Sequence, residues 1–101
     1  MKGEDIKMAR FFIEVPHEAK PEACIQAVKA FLNTGSHFLA KADWGCYDGD
    51  HKAWMILDLD SKKEALSVLP PGFKSNAKIV QLNKFTLEDT ERMRKHHQGA
   101  M

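Results

Sequence analysis

Acidic, basic and aromatic side chains occur together in two separate stretches of this chain, and such a mixture can support proton transfer. A carboxylate held among aromatic rings has its pKa raised by desolvation and can act as a general base, while a lysine can stabilise a developing oxyanion. Glu14, Lys41 and Asp43 are the candidates for these roles, and His17 is a further candidate proton donor. The same charges can instead pair across strands as structural salt bridges, which is the interpretation that we favour.

Histidine and cysteine supply the usual ligand types of first-row metals, but their spacing in this chain does not form a ligand motif. His37 and His51 belong to opposite ends of the hairpin described below, and the adjacent His96 and His97 face different directions on a helix. The strand register fixes no histidine beside Cys46, so we interpret this residue as a packing residue rather than a nucleophile. The sequence therefore predicts no metal site.

Composition argues against several other classes of function. The chain has 101 residues and a formal net charge of +1 with the two signs interspersed, so it lacks the basic stripe of a nucleic-acid-binding protein. No apolar run is long enough to cross a bilayer, and we expect no membrane partner. Gly49 and Gly72 belong to turns rather than to a glycine-rich phosphate loop, so no cofactor is expected. Two cysteines without CxxC spacing are typical of reduced thiols, which favours the cytoplasm.

The elements that must position these residues are organised around a predicted β-hairpin from His37 to Asp60. Asp48-Gly49 is a strong signal for a two-residue turn, in which both residues take positive φ. This turn fixes a register in which one face pairs apolar residues: Trp44 with Ala53, Ala42 with Met55, Ala40 with Leu57 and Phe38 with Leu59. The other face is mixed and pairs Asp43 with Trp54, Lys41 with Ile56, Leu39 with Asp58 and His37 with Asp60.

Periodicity and capping signals predict the remaining elements. Strands are expected at 9–15 and 76–85, where apolar residues mark a buried face. One helix is expected from Pro21 to Asn33. A second begins at the capping box Ser61-Lys62-Lys63-Glu64 and ends before Pro70, and a third follows the cap Thr86. The order is β-α-β-β-α-β with an added C-terminal helix. It predicts an α+β, ferredoxin-like antiparallel sheet with both main helices on one face.

The face of this sheet away from the helices carries more apolar and aromatic area than a typical wetted surface. Such a face indicates an interface or a pocket. Two copies packed across a two-fold axis would bury it and form a homodimer. The residues assigned to this ligand or dimer face are Arg10, Phe12, Leu39, Trp54, Ile56 and Asp58.

The element order, the small size, the half-apolar open face and the trailing helix resemble the dimeric α+β barrel superfamily. This superfamily includes muconolactone isomerase-like proteins and cofactor-free antibiotic-synthesis monooxygenases. The resemblance covers residues 8–95 and rests on architecture. The segment from Gly35 through Trp44 and Asp48-Gly49 to Trp54, then Leu69-Pro70-Pro71, is similar to an uncharacterised group of small bacterial proteins within it. The resemblance implies a homodimer whose sheets enclose a small-molecule pocket.

The main hypothesis is a cytoplasmic homodimer that binds a small aromatic or unsaturated organic molecule between its sheets, as a cofactor-free isomerase or oxygenase. The alternative is a non-catalytic dimerisation or ligand-sensing module whose open face is the subunit interface. Nucleic-acid binding by the sheet is disfavoured because Glu14, Asp43 and Asp58 oppose a phosphate backbone. The expected organisation is a lead at 1–7, with Met8 as a possible natural start, one domain at 8–97 and a loose tail at 98–101.

Overall fold

Four strands form one antiparallel sheet in a computed structural model that describes residues 8–100, with the backbone alone for residues 96–100. The strands are β1 (Ala9–Pro16), β2 (Asp43–Trp44), β3 (Lys52–Leu59) and β4 (Lys78–Leu82). The helices are α1 (Pro21–Asn33), α2 (His37–Ala40), α3 (Lys62–Val68) and α4 (Leu87–Ala100). The sheet order β2-β3-β1-β4 is compatible with the predicted ferredoxin-like arrangement. The expected lead at 1–7 and the end of the expected tail, Met101, lie outside the described residues.

The predicted helix starts are confirmed by their caps. Pro21 opens α1 at a position where its missing N–H leaves nothing unpaired. Ser61 caps α3 by accepting a 3.0 Å hydrogen bond from the backbone N–H of Glu64, whose carboxylate accepts one from the Asp60 N–H. Thr86 caps α4 by a reciprocal pair of hydrogen bonds: the Asp89 N–H donates to Oγ1 of Thr86, and the Thr86 N–H donates to the Asp89 carboxylate. These local signals place the helices without reference to the rest of the fold.

The core lies between the sheet and helices α1 to α3. Side chains of a strand alternate between its two faces, so every second residue of β1 and β3 points into this core. The predicted core positions on these strands are confirmed: Phe11, Ile13, Val15, Ala53, Met55, Leu57 and Leu59 are buried. The helices add Ala27, Phe31, Leu39 and Ala65, and Leu69, which directly follows α3, is also buried. Trp44 packs against this core with its ring 5.0 Å from that of Phe31.

The first half of the predicted hairpin is wrong, because residues 37–40 form the short helix α2 instead of a strand. Ser36 caps this helix by accepting a hydrogen bond from the N–H of Leu39. The change of conformation exchanges the environments of two residues. Leu39, predicted on the open face, is 1% exposed in the core, and Phe38, predicted in the core, is 41% exposed. Lys41 follows the helix and so does not pair with Ile56 as predicted.

The predicted register of the hairpin is confirmed where β2 exists, with Asp43 opposite Trp54 and Trp44 opposite Ala53. The predicted two-residue turn is wrong. Residues Cys46–Asp48 form one turn of 3-10 helix, and Gly49 takes the positive φ of 86° while Asp48 does not. A longer loop therefore joins β2 to β3, and it changes where Cys46 points.

Helix α4 makes no extensive contact with the other elements in the described part of the chain. Of the helices within residues 8–100, none combines the length and the apolar character needed to cross a bilayer.

The position of α2 can be tested by comparing Leu39→Ala with Phe38→Ala. Removing the buried Leu39 side chain should lower the free energy of unfolding by about 2–5 kcal/mol, because it leaves a cavity in the core. Phe38→Ala should lower it by about 1 kcal/mol or less. Urea unfolding followed by circular dichroism measures both. If Phe38→Ala lowered the free energy of unfolding more than Leu39→Ala, the result would contradict helix α2 and support the predicted strand.

Candidate functional site

Four side chains with nitrogen or sulfur donor atoms meet at one end of the sheet. Nε2 of His17 lies 3.1 Å from Sγ of Cys46, and Sγ of Cys24 donates a hydrogen bond of 2.7 Å to the same sulfur. The donor atoms of His17, Cys46 and His51 all lie within 4.8 Å of one another. We refer to His17, Cys24, Cys46 and His51 as the thiol-imidazole cluster.

The β1–β3 ladder brings the two histidines together. The strands pair from Ala9 opposite Leu59 to Pro16 opposite Lys52. One further backbone hydrogen bond, from the N–H of His17 to the carbonyl of His51, extends the antiparallel pattern by one pair. The two imidazole rings consequently lie 5.6 Å apart in an edge-to-face arrangement.

Gly45 brings Cys46 to the histidines. A Cβ atom at position 45 would lie 2.7 Å from the indole ring of Trp54 and 2.7 Å from the Asp50 carbonyl oxygen, so a larger residue does not fit there. The loop can therefore fold closely over Trp54 before the 3-10 turn begins at Cys46. This path places the Cys46 thiol against Cys24 in the first turns of α1.

The two histidines of the cluster differ in their hydrogen bonds. A backbone carbonyl only accepts, so the contact of 2.9 Å between Nδ1 of His17 and the Glu18 carbonyl makes Nδ1 the protonated nitrogen. In the neutral ring, Nε2 then carries a lone pair that faces Cys46. His51 differs, because its buried Nδ1 has no hydrogen-bond partner among the described residues.

The Cys46 thiol is neutral at physiological pH. Its pKa is raised from 9.0 to about 11, first by desolvation and then by the Cys24 thiol beside it. A thiol next to an imidazole is the arrangement of cysteine nucleophiles, but these require a lowered thiol pKa. Cys46 in this cluster therefore does not have the lowered pKa of a thiolate nucleophile.

A cleft of about 910 Å³ opens between α1 and the segment that carries β2 and the 3-10 turn. Three cluster residues, Cys24, Cys46 and His51, lie on its wall. The other lining side chains are mostly apolar, and they include Pro21, Ile25, Val28, Ala42 and Trp44. The cleft thus joins an apolar surface to a small group of sulfur and nitrogen atoms.

The predicted catalytic residues do not converge on one point. Glu14 accepts a 3.1 Å hydrogen bond from Nε1 of Trp54, and its other oxygen lies 3.8 Å from Nζ of Lys52. This carboxylate is engaged in the way that the salt-bridge interpretation requires. Asp43 is exposed at the edge of the sheet, and Lys41 lies at the end of α2. His17 lies in the cluster.

The residues predicted for the ligand or dimer face lie on the open side of the sheet, except for Leu39. Strand parity places Arg10, Phe12, Trp54, Ile56 and Asp58 on the side of the sheet away from α1 to α3, and Ile56 is 60% exposed. Arg10 and Asp58 face each other with 3.8 Å between Nε and Oδ1. Val80 and Leu82 of β4 lie beside Phe12 and Arg10 on this face, which the sequence prediction had not included.

The cluster itself was missed by the sequence prediction. Contrary to the expectation for Cys46, a histidine lies directly beside it. The available signal was the position of His17 and His51 next to the ends of two strands that pair. The contact with Cys46 had no sequence signal, since it depends on the close approach at Gly45.

No protein-family model, curated protein or solved structure matches this chain. The resemblance to dimeric α+β barrels therefore stays a prediction, and the chemistry of the site rests on its own residues.

The pKa of Cys46 predicts how the thiol reacts with iodoacetamide. Because the thiolate reacts and the pKa is about 11, the rate of Cys46 alkylation in the metal-free protein should rise about tenfold per pH unit from pH 7 to pH 10 without a plateau. Peptide mass spectrometry separates Cys46 from Cys24. In Cys24→Ala, which lacks the neighbouring thiol, the rate at pH 8 should increase. A plateau at or below pH 9 in the wild type would contradict the raised pKa.

Proposed function

We propose that this protein binds a small, largely apolar organic molecule in the cleft beside the thiol-imidazole cluster. The observation that carries this proposal is the cleft itself, with apolar walls on α1 and β2 and with Cys24, Cys46 and His51 exposed to it. Ligand sites are typically concave, mostly apolar and supplied with a few converging polar groups. The volume of about 910 Å³ lies within the usual range for such sites.

The walls of the cleft indicate the chemistry of its ligand. Trp44 offers an aromatic surface, which suits an aromatic or unsaturated molecule. Lys29 on α1 also lines the cleft and favours a ligand that carries an anionic group. The aromatic or unsaturated character of this ligand is the one predicted from the sequence, whereas the anionic group was not predicted and the cleft lies between α1 and β2 rather than between two sheets.

A binding role is supported better than a cofactor-free isomerase or oxygenase. Of the predicted catalytic residues Glu14, Lys41, Asp43 and His17, Asp43 lines this cleft, and its carboxylate is exposed. Glu14, Lys41 and His17 are not among the residues that line it, so the predicted catalytic residues do not converge in the cleft. The two free thiols fit a reducing compartment such as the cytoplasm.

The fluorescent anion 8-anilinonaphthalene-1-sulfonate tests the cleft, because it is aromatic and negatively charged. We expect saturable binding of one probe molecule per chain. Ile25→Asp should weaken this binding at least about tenfold, since it places a charge on the apolar wall. Fluorescence titration gives the dissociation constants.

Leu32→Asp is the matched control for this titration. Leu32 and Ile25 are both on α1 and are 56% and 54% exposed, but Leu32 does not line the cleft. The control should bind the probe like the wild type. Equal affinity of Ile25→Asp and Leu32→Asp would contradict the cleft as the ligand site.

A second proposal is that the open sheet face forms a homodimer, as in a dimeric α+β barrel. It is supported by the apolar row on that face, in which Ile56 is 60% exposed between Phe12 and the charged pair Arg10 and Asp58. Charges of both signs suit an interface that meets a second copy of itself. The helices α1 to α3 already occupy the opposite face.

Ile56→Asp tests the dimer, because the side chain is exposed in the monomer and its replacement should leave the fold intact. Sedimentation equilibrium should show a dimer for the wild type and a dissociation constant raised at least about tenfold for the variant. Leu32→Asp again serves as the control. A wild-type protein that remains monomeric at high concentration would exclude this interface.

A further inference from the structure

We infer that His17, Cys46 and His51 form a binding site for a divalent transition-metal ion, with zinc as the ion whose preferences the donor set matches. The inference rests on the positions of the donor atoms in the thiol-imidazole cluster and does not depend on the organic ligand proposed above. The site lies at the end of the β1–β3 ladder where Pro16 pairs with Lys52.

Three donor atoms already lie close enough together to surround one ion. Those of His17, Cys46 and His51 are all within 4.8 Å of one another. A tetrahedral zinc ion holds imidazole nitrogen at about 2.0–2.1 Å and thiolate sulfur at about 2.3 Å, which puts two nitrogens and one sulfur about 3.3–3.6 Å apart. A separation near the upper limit of 4.8 Å therefore has to shorten when an ion binds. The distance of 3.1 Å between His17 Nε2 and Cys46 Sγ requires a small outward movement of these side chains.

His17 is prepared to act as a ligand. A metal-binding histidine commonly donates the N–H of its other nitrogen to a carbonyl or carboxylate, which fixes the tautomer and the orientation of the ring. The Glu18 carbonyl accepts such a bond from Nδ1 of His17. The lone pair of Nε2 is thereby directed at the position next to Cys46 where an ion would lie.

His51 supplies a second, independent observation. Its Nδ1 is buried and has no hydrogen-bond partner among the described residues. Buried polar atoms of native proteins are nearly always hydrogen-bonded, so an imidazole nitrogen without a partner among the described residues is one that coordination of His51 to an ion would account for. Coordination fixes the ring and compensates for the burial of its polar atoms. The hydrogen bond from the His17 N–H to the His51 carbonyl holds the two backbones together, and the two rings lie 5.6 Å apart.

Cys24 is a positioning residue in this site. Its thiol donates a hydrogen bond to Sγ of Cys46, and bonds of this kind orient a ligand without replacing it. Three protein ligands leave a fourth position on the ion, and Cys46 and His51 both lie on the wall of the cleft. Zinc sites with three protein ligands and one open position are those that bind water or substrate.

The competing outcome for the two thiols is a disulfide. The sulfur atoms of Cys24 and Cys46 are 2.7 Å apart, and the disulfide of a small thiol could oxidise them. The S–S bond of the small disulfide would break as the Cys24–Cys46 bond forms, and the two electrons and two protons from the cysteines would leave on two molecules of the small thiol. This oxidation would remove the Cys46 thiolate. The experiment therefore uses the full chain without a histidine tag, after its thiols have been reduced and any bound metal has been removed.

Cobalt titration in the absence of air tests the site, since tetrahedral Co²⁺ with a thiolate ligand shows strong visible bands and a near-ultraviolet charge-transfer band. We expect one Co²⁺ per chain and its displacement by Zn²⁺. Cys46→Ser should abolish the charge-transfer band. His17→Ala and His51→Ala should each weaken binding by more than about 100-fold, because even groups that only orient ligands contribute about 10–100-fold.

His37→Ala is the matched control, because this exposed histidine lies outside the cluster, and it should bind Co²⁺ like the wild type. Circular dichroism of each variant without metal verifies its fold. Cys24→Ala should keep the charge-transfer band at saturating Co²⁺, because Cys24 is not a ligand, but should weaken Co²⁺ binding about 10–100-fold, because it orients Cys46. Absence of the band in the reduced wild type, or its survival in Cys46→Ser, would overturn the inference. Because the titration contains no organic probe, its result is separate from that of the cleft experiment.

Discussion

The antiparallel pairing of β1 with β3 is the constraint on which the rest of the structure depends. Its register runs without interruption from Ala9 opposite Leu59 to Pro16 opposite Lys52. Because side chains alternate, this register decides which residues enter the core and which remain on the open face. The hydrogen bond from His17 to His51 extends the same ladder beyond Pro16. A shift of one residue would therefore invert the core and also separate the two histidines.

The chemistry of the cluster follows from competition between two uses of a thiol. A nucleophilic cysteine needs a lowered pKa, which a neighbouring cation or helix N-terminus supplies. Cys46 instead has its pKa raised by desolvation and by Cys24. A bound cation would reverse this preference, because the coordinating form of cysteine is the thiolate. The surroundings of Cys46 thus favour a protonated thiol in the free protein.

The sequence predicted local structure well and the cluster poorly. Alternation along β1 and β3 and the caps of α3 and α4 are signals contained within a few residues, and these predictions were confirmed. The strand predicted at residues 37–40 is wrong because Phe38 and Leu39 suit either a strand or one helical turn. The cap at Ser36 favours the helix. The two-residue turn predicted at Asp48-Gly49 is wrong because the longer loop needs only one positive φ, which Gly49 supplies. The contact of Cys46 with His17 arises from tertiary packing, which no short pattern encodes.

The open face and the cluster are mechanically connected through Trp54. Its Nε1 donates a hydrogen bond to Glu14 on the open face, and its ring packs so closely on Gly45 that a side chain there would collide with it. Gly45 immediately precedes Cys46, and the carbonyl of Gly45 accepts hydrogen bonds from Asp48 and Asp50 within the same loop. The position of the Cys46 thiol is therefore set from both sides of the sheet, by the core against which Trp44 packs and by the indole ring of Trp54, which lies against Gly45.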